Sequence, residues 1–145
     1  MQMGIMMNST PILKPDLDLL MEQAREAAQN SYSPYSGFRV GAALALTSGA
    51  VVTGTNVENV SYGLTLCAER AALVRAVAEH GPQIRIAAVA VANLNGAPSP
   101  PCGACRQMLA EFALPEAPVV FPAADGVRMM AFNDVLPLAF DMKLK

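Results

Sequence analysis

The sequence lacks any apolar run long enough to cross a membrane, although 53% of its 145 residues are hydrophobic. Its longest stretches without a charged residue are 40–57 and 86–105. Polar and turn-forming residues interrupt both stretches, so neither offers the roughly 20 unbroken apolar residues that a spanning helix needs. The excess of apolar residues instead predicts a buried sheet whose remaining apolar surface is covered by sister subunits.

The sequence also lacks an export signal and a cluster of basic residues. Residues 1–13 contain no basic group and no long apolar core, which excludes a secretory signal and favours a cytoplasmic protein with reduced thiols. The net charge is −2, and the lysines and arginines are dispersed. A nucleic-acid polymer is therefore an improbable partner, because such partners require a basic surface.

No repeat, low-complexity tract or linker divides the chain, so we expect a flexible extension over residues 1–13 and a single domain over 14–145. The hydrophobic pattern predicts helices over residues 15–30, 67–79 and 102–112, and a last short helix or turn over residues 134–140. It predicts strands over residues 38–46, 50–55, 84–92, 119–121 and 127–132.

The order of these elements predicts an α/β fold. The first two strands read as an antiparallel hairpin around Thr47-Ser48-Gly49. Strands that are separated by helices imply parallel neighbours joined by crossover connections. We therefore expect a three-layer α/β/α architecture, in which a mixed sheet of about five strands carries helices on both faces.

The three cysteines are the first candidates for chemistry. Cys102 and Cys105 form a CxxC pair, and Cys67 opens another predicted helix. The pair alone leaves a metal site, a redox disulfide and two inert buried thiols open. The third thiol favours zinc, because three protein ligands leave one tetrahedral position for water, as in catalytic zinc sites. His80 is expected to be a surface residue, since it lies roughly 20 Å from Cys67 along the same helix at 1.5 Å per residue.

Glu69 follows Cys67 by two residues, within the first turn of the same predicted helix. In that turn both side chains can point off the helix end toward one place. A carboxylate beside a zinc-bound water is suited to carry protons. The alternative is charge complementarity to the helix N-terminus, which is worth only about 0.3–1 kcal/mol. The presence of the three cysteines favours the catalytic role.

Cys67-Ala68-Glu69 together with Pro101-Cys102-Gly103-Ala104-Cys105 resembles the zinc-dependent nucleobase deaminases, in which a glutamate that is not a ligand follows the first ligand. The segments 35–43, 56–59, 61–63 and 136–140 extend the likeness to the small cytidine deaminases of pyrimidine salvage. The resemblance implies a hydrolase that converts cytidine or 2′-deoxycytidine and water to the uridine form and ammonia. It also implies one Zn²⁺ per subunit and a homotetramer with shared active sites.

The resemblance assigns roles to individual residues. Cys67, Cys102 and Cys105 correspond to the zinc ligands, and Glu69 corresponds to the proton carrier. Two positions match contacts to the base, namely Phe38, which stacks on the ring, and the backbone of Ala68, which contacts the base carbonyl. Asn56 and Glu58 match the residues that bind the ribose hydroxyl. Tyr62 and Phe140 match positions that complete the pocket, at least partly from neighbouring subunits. Taken singly, each position favours a more ordinary interpretation, with Phe38 as a core residue, Phe140 as a hydrophobic staple of a helix and Asn56 as a turn residue.

A ligand set of three thiolates poses an electrostatic difficulty. Three thiolates on one Zn²⁺ carry a formal charge of −1, which weakens the power of the metal to acidify water. Two helix N-termini of about +0.5 charge each offset this in part. Arg70 and Arg106 lie beside the ligands, and Arg106 shares a helix face with Cys102. We therefore expect both arginines to hydrogen-bond the thiolates and to restore the acidity of the zinc.

Two other functions stay open at the level of sequence. A deaminase of a nucleoside analogue such as blasticidin S would not need the pattern Asn56-Val57-Glu58-Asn59. A non-catalytic, zinc-stabilised binding module would not need Glu69. Assays with cytidine, 2′-deoxycytidine and blasticidin S distinguish the two kinds of deaminase. A Glu69→Ala variant that keeps zinc and full function would favour the binding module.

Overall fold

A five-stranded mixed sheet forms the centre of the fold in a computed structural model that describes residues 14–142. The helices are α1 (Leu17–Ala28), α2 (Ala68–His80), α3 (Gly103–Ala110) and α4 (Phe132–Val135). The strands are β1 (Val40–Leu46), β2 (Val51–Thr55), β3 (Ile86–Asn93), β4 (Pro118–Ala123) and β5 (Gly126–Ala131). The α/β class is confirmed, whereas the flexible extension expected over residues 1–13 lies outside the described residues.

Helix boundaries follow local signals in the sequence. Asp16 caps α1, since its carboxylate accepts the Leu19 N–H at 3.1 Å. Helix α2 ends where Gly81 adopts a φ of 87°. Even α2, at 13 residues, is too short to cross a bilayer, and no helix within residues 14–142 has the length and apolar character to do so.

The last predicted element is helical only at its start. A short helix or turn was expected over residues 134–140, whereas α4 covers Phe132–Val135, a turn follows at residues 137–138, and residues 136–142 have no regular helix or strand. Pro137 explains the difference, because a proline disfavours the helical conformation of the residue before it. Leu136 accordingly has φ −141° and ψ 76°, which ends the helix.

The sheet order β2-β1-β3-β4-β5 corrects one expectation about strand direction. Strands β3 and β4 are parallel neighbours, as predicted for strands joined through a helix, but β1 and β3 are antiparallel. The reason is that β2 folds back along β1, so the connection through α2 starts from β2 and passes over β1. Strands β2 and β3 thus run in one direction, and the segments that follow them leave the same edge of the sheet.

The two faces of the sheet are packed differently. Helix α1 places Leu20, Met21 and Ala24 on a face that β1 and β3 line with alanines. The opposite face carries larger residues such as Leu44 and Val91 beneath α2, α3 and α4. Helices therefore cover both faces, and β1 and β3 are buried along their whole length.

Small residues let α1 approach the sheet closely. A Cβ at Gly41 of β1 would meet the carbonyl oxygen of Ala24 and would lie 2.6 Å from the Ala28 backbone nitrogen. Only glycine fits at that distance. This close contact fixes the beginning of β1, next to the loop that carries Phe38.

Candidate active site

The starts of α2 and α3 meet at one edge of the sheet and bring the three thiols together. Cys67 is the N-cap residue of α2, Cys102 is the N-cap residue of α3, and Cys105 lies in the first turn of α3. The Sγ atoms of Cys67 and Cys102 are 3.9 Å apart, and those of Cys102 and Cys105 are 3.2 Å apart. All three sulfurs lie within 4.8 Å of one another.

This thiol cluster has the donor set and spacing that zinc requires. Sulfurs about 2.3 Å from a tetrahedral Zn²⁺ would be about 3.8 Å apart, close to the spacings of this cluster. Thiolates are also the ligands that select zinc over harder cations. Cys105 is buried whereas Cys102 is exposed, so the cluster is closed by protein on one side and accessible on the other. Three ligands with one accessible side are typical of catalytic zinc sites.

The thiols share their protons unevenly. A hydrogen bond with Cys105 lowers the pKa of Cys67 to about 5, and Arg70 adds to the effect. The same interaction raises the pKa of the Cys105 thiol, which is also buried. Without a metal ion, Cys67 therefore loses its proton more readily than Cys105. A cation that binds all three sulfurs has to displace such protons.

Arg70 lies where the sequence predicted it. Its Nη2 donates to the Cys67 sulfur at 3.4 Å, and this contact raises the pKa of the guanidinium further above its ordinary value. Its Nε is buried and has no hydrogen-bond partner among the described residues. Arg70 thus presents a permanent positive charge to the Cys67 sulfur.

Arg106 makes different contacts from those expected. Its Nε donates to the Pro101 carbonyl oxygen at 2.8 Å and its Nη1 to the Val135 carbonyl oxygen at 2.9 Å. Within residues 14–142, no hydrogen bond joins Arg106 to a sulfur. The guanidinium instead ties the loop before Cys102 to the end of α4.

A cavity of about 550 Å³ opens on the thiol cluster, a size typical of small-molecule sites. Cys67 and Cys102 lie in its wall. Of the six predicted substrate contacts, five line it, namely Phe38, Asn56, Glu58, Tyr62 and Ala68. The cavity therefore places two of the thiols and most of the predicted contacts around one ligand-sized space.

Phe140 is the predicted contact that does not line the cavity, and its residue is 72% exposed. Gln107 of α3 holds its backbone at two points. The Gln107 Nε2 donates to the Phe140 carbonyl oxygen at 3.0 Å, and the Phe140 N–H donates to the Gln107 Oε1 at 3.3 Å. The ring is thus anchored by its backbone while its face stays free within the single chain.

Glu69 lines the cavity near the thiols and is only 4% exposed. Burial raises the pKa of its carboxyl to about 7, and the nearby Cys67 adds to this effect. A carboxyl that titrates near neutral pH can both accept and return a proton. A divalent cation on the sulfurs would act in the opposite direction, since it favours the carboxylate.

Asn56 is almost fully engaged by its own chain. Its Oδ1 accepts the Val40 N–H at 3.0 Å and the Ser31 hydroxyl at 2.5 Å, and its Nδ2 donates to the Phe38 carbonyl oxygen at 2.8 Å. An amide nitrogen carries two hydrogens. One N–H of Asn56 is therefore left for a ligand.

Glu58 is held in a similar way. Its Oε1 accepts the backbone N–H groups of Tyr35 and Ser36 at 2.9 and 3.1 Å, and its Oε2 accepts the Ser36 hydroxyl. The Ser36 hydrogen bond is the largest cause of a lowered pKa for this carboxyl. A carboxylate offers about four acceptor positions, so about one remains.

Sequence reasoning missed the residues that hold these groups, above all Ser31, Ser36, Asn95 and Gln107. Asn95 joins two walls of the cavity, because its Oδ1 accepts the Arg39 N–H at 2.9 Å and its Nδ2 donates to the Gly37 carbonyl oxygen at 3.0 Å. A local signal existed for Ser36 alone. The Ser36 hydroxyl accepts the N–H of Phe38, two residues further along the chain. Serine often forms this local turn, in which its hydroxyl bonds to a nearby backbone group.

The chain is similar to known proteins over most of its length. The family model of the cytidine and deoxycytidylate deaminase zinc-binding region matches residues 15–121. The chain is 42% identical over 126 residues to a cytidine deaminase of Halalkalibacterium halodurans, which covers 86% of this chain and 94% of the relative. It is 46% identical over 130 residues to a cytidine deaminase of Mycobacterium tuberculosis, which covers 88% of this chain and 93% of the relative.

Solved structures agree with these sequence matches. The crystal structure of cytidine deaminase from Mycobacterium tuberculosis is similar with a TM-score of 0.75 at 42% identity, covering 88% of this chain and 99% of that one. The cytidine deaminase from Burkholderia pseudomallei is similar with a TM-score of 0.76 at 46% identity, covering 85% of this chain and 98% of that one. The likeness therefore extends over nearly the full length of both proteins.

Proposed function

This chain belongs to the cytidine and deoxycytidylate deaminase family, and we propose how its residues divide the work of the reaction. It is an enzyme that hydrolyses cytidine to uridine and ammonia, with Zn²⁺ as its cofactor. When bound, zinc supplies a nucleophile by lowering the pKa of a water molecule. The observation that carries the residue assignments is one cavity lined by two of the three clustered thiols, a buried carboxyl and two partly engaged polar side chains, with a volume that suits a small molecule.

Cys67, Cys102 and Cys105 would hold the zinc, and Glu69 carries the protons. Glu69 takes a proton from the attacking water and delivers it to N3 of the cytosine ring. It then carries the second proton of that water to the amine that leaves C4. Its position in the wall of the same cavity and its burial support this role.

The base is held between an aromatic ring and a helix start. Phe38 stacks on the pyrimidine. Ala68 is the first residue of α2, so its N–H has no partner within the helix and is available for the base carbonyl oxygen. Both residues line the cavity, next to the thiols.

Asn56 and Glu58 read one sugar hydroxyl. Asn56 has one N–H left and Glu58 has about one acceptor position left. A single hydroxyl satisfies both, since it accepts from the amide and donates to the carboxylate. A site that reads one hydroxyl does not require a second one, which supports 2′-deoxycytidine as a further substrate.

The enzyme acts as a homotetramer in which neighbouring subunits complete each cavity. The support is a set of exposed apolar residues around the cavity mouth and the C-terminal segment, namely Val60, Tyr62, Leu64, Leu138 and Phe140. Phe140, whose backbone is held by Gln107, would reach into the cavity of a neighbour in this assembly. A cytoplasmic location belongs to the same proposal, because ligand thiols need a reducing compartment.

Absorbance assays with cytidine, 2′-deoxycytidine and blasticidin S, run with and without a chelator, test the proposal. We expect turnover of the first two nucleosides, none of blasticidin S, and loss of activity on chelation. Glu69→Gln should keep one zinc per chain yet lose turnover by at least about 100-fold. Full turnover in a zinc-loaded Glu69→Gln enzyme would overturn the role of Glu69, and zinc retention after loss of any one thiol would overturn the ligand set.

A further inference from the structure

One hydroxyl links two parts of the nucleoside pocket. The Ser36 Oγ donates to the Oε2 of Glu58, which lies on the segment after β2, and accepts the backbone N–H of Phe38 at 2.9 Å. Glu58 and Phe38 lie 20 positions apart in the sequence, and both line the cavity. The donor and the acceptor capacity of the hydroxyl are thus divided between a proposed sugar contact and a proposed base contact.

We propose that Ser36 is a positioning residue for nucleoside recognition, whose hydroxyl fixes the Glu58 carboxylate relative to Phe38 so that sugar and base are read together. This inference rests on the proposed roles of Glu58 and Phe38. Ser36 acts through these two residues.

The geometry of the carboxylate explains why the hydroxyl matters. The last torsion of a glutamate is soft, so a carboxylate held at one oxygen can still turn. The N–H groups of Tyr35 and Ser36 both hold Oε1, and the Ser36 hydroxyl alone holds Oε2 among the hydrogen bonds of the described residues. With both oxygens held, the remaining acceptor position has one direction, which determines where a sugar hydroxyl has to lie.

Other hydrogen bonds maintain the shape of the loop without the hydroxyl. The Gly37 N–H donates to the Ser33 carbonyl oxygen at 2.9 Å, and Asn95 holds both Gly37 and Arg39. Gly37 itself adopts the left-handed conformation, with a φ of 71°. Ser36→Ala should therefore release the carboxylate while the loop keeps its path.

The test measures kcat and KM for cytidine, 2′-deoxycytidine and 3′-deoxycytidine in Ser36→Ala, Ser36→Thr and Glu58→Gln enzymes. Ser36→Ala should raise KM for cytidine about tenfold, equivalent to about one charge-assisted hydrogen bond, with kcat within about threefold. Ser36→Thr keeps a hydroxyl and should restore KM to within about twofold. One of the two deoxynucleosides lacks the hydroxyl that Glu58 binds. On that nucleoside, neither Ser36→Ala nor Glu58→Gln should raise KM relative to the parent enzyme.

A double variant separates an effect through Glu58 from a general one. If Ser36 acts through the carboxylate, Ser36→Ala with Glu58→Gln should be no worse than Glu58→Gln alone. Independent, additive effects, an equal loss in Ser36→Thr, or an equal Ser36→Ala effect on all three nucleosides would overturn the inference. Unchanged KM in Glu58→Gln would instead overturn the proposed sugar contact itself. Should Ser36→Ala not fold, Ser36→Cys, which has nearly the same size, takes its place in the same cycle.

Discussion

Gly54 of β2 lies directly under Ala72 of α2. A Cβ at Gly54 would meet the Ala72 backbone nitrogen and would lie 2.8 Å from the Ala68 carbonyl oxygen. Helix α2 starts at Ala68, so this contact sets the height of the helix turn that carries Cys67 and Glu69 above the sheet. The absence of a side chain on β2 thus determines where a predicted zinc ligand and the predicted proton carrier lie.

Gly54→Ala should therefore displace the first turns of α2 and, with them, Cys67 of the predicted zinc site. Overpacking of this kind costs typically about 1–3 kcal/mol, and here the strain falls on the first turns of α2. We expect a lower melting temperature and weaker zinc retention during dialysis against a chelator. A melting temperature and zinc retention equal to those of the parent would contradict this account.

The thiol cluster should bind one zinc ion per chain. Cys105→Ser should reduce the metal content, measured by mass spectrometry after gel filtration, to below about one fifth, because an alcohol is a poor zinc ligand. It should also lower the melting temperature, since the metal stabilises only the folded chain. His80→Ala is the control, because His80 is exposed at the far end of α2. Loss of zinc in that control would point to a different ligand set.

The two arginines should separate by phenotype. Arg70→Gln removes the positive charge beside the Cys67 sulfur, so kcat should fall while the melting temperature changes little. Arg106→Gln removes two hydrogen bonds to carbonyl oxygens, which should destabilise the fold by about 1–3 kcal/mol. Thermal melts together with kcat at saturating cytidine test both expectations. If Arg106→Gln instead lowered kcat without lowering stability, the result would support the role predicted from the sequence, in which Arg106 restores the acidity of the zinc.

The sequence was sufficient for features that depend on local signals. The CxxC spacing and the loops before residues 67 and 102 predicted two helix starts that carry thiols, and both starts are present. Contacts between distant segments could not be predicted in this way. Arg106 meets Val135 across 29 positions and Ser36 meets Glu58 across 22. Such pairs depend on how the antiparallel pairs β1–β2 and β4–β5 fold back and bring the segments before and after them together, which a spacing rule does not capture.

Gln107 should control the C-terminal segment. Gln107→Ala removes both hydrogen bonds that hold the Phe140 backbone, so amide hydrogen exchange at residues 138–142 should accelerate. If Phe140 reaches into a neighbour's cavity, KM for cytidine should rise as well. Gln107→Glu is the matched control, because it keeps the acceptor for the Phe140 N–H and loses only the donor. Its effects should lie between those of the parent and the alanine variant, and unaltered exchange in Gln107→Ala would refute the anchoring role.

The titration of Glu58 offers an independent view of the Ser36 contact. The pKa of Glu58 lies below its ordinary value of 4.5, chiefly because of the Ser36 hydroxyl. A carboxyl with a lowered folded-state pKa contributes stability above its ordinary range and loses that contribution as the pH falls through the folded-state pKa. Ser36→Ala should raise the pKa of Glu58, so the link to the loop around Tyr35 should be lost at a higher pH.

Nuclear magnetic resonance of the Glu58 side-chain carboxyl between about pH 3 and 7 measures this shift directly. Ser33→Ala is the matched control, since the Ser33 hydroxyl contacts Ser31 and not Glu58. The control should titrate like the parent, whereas Ser36→Ala should titrate at higher pH. An identical pKa in all three proteins would mean that the hydroxyl does not hold the carboxylate in solution, and the specificity argument built on Ser36 would then lose its physical basis.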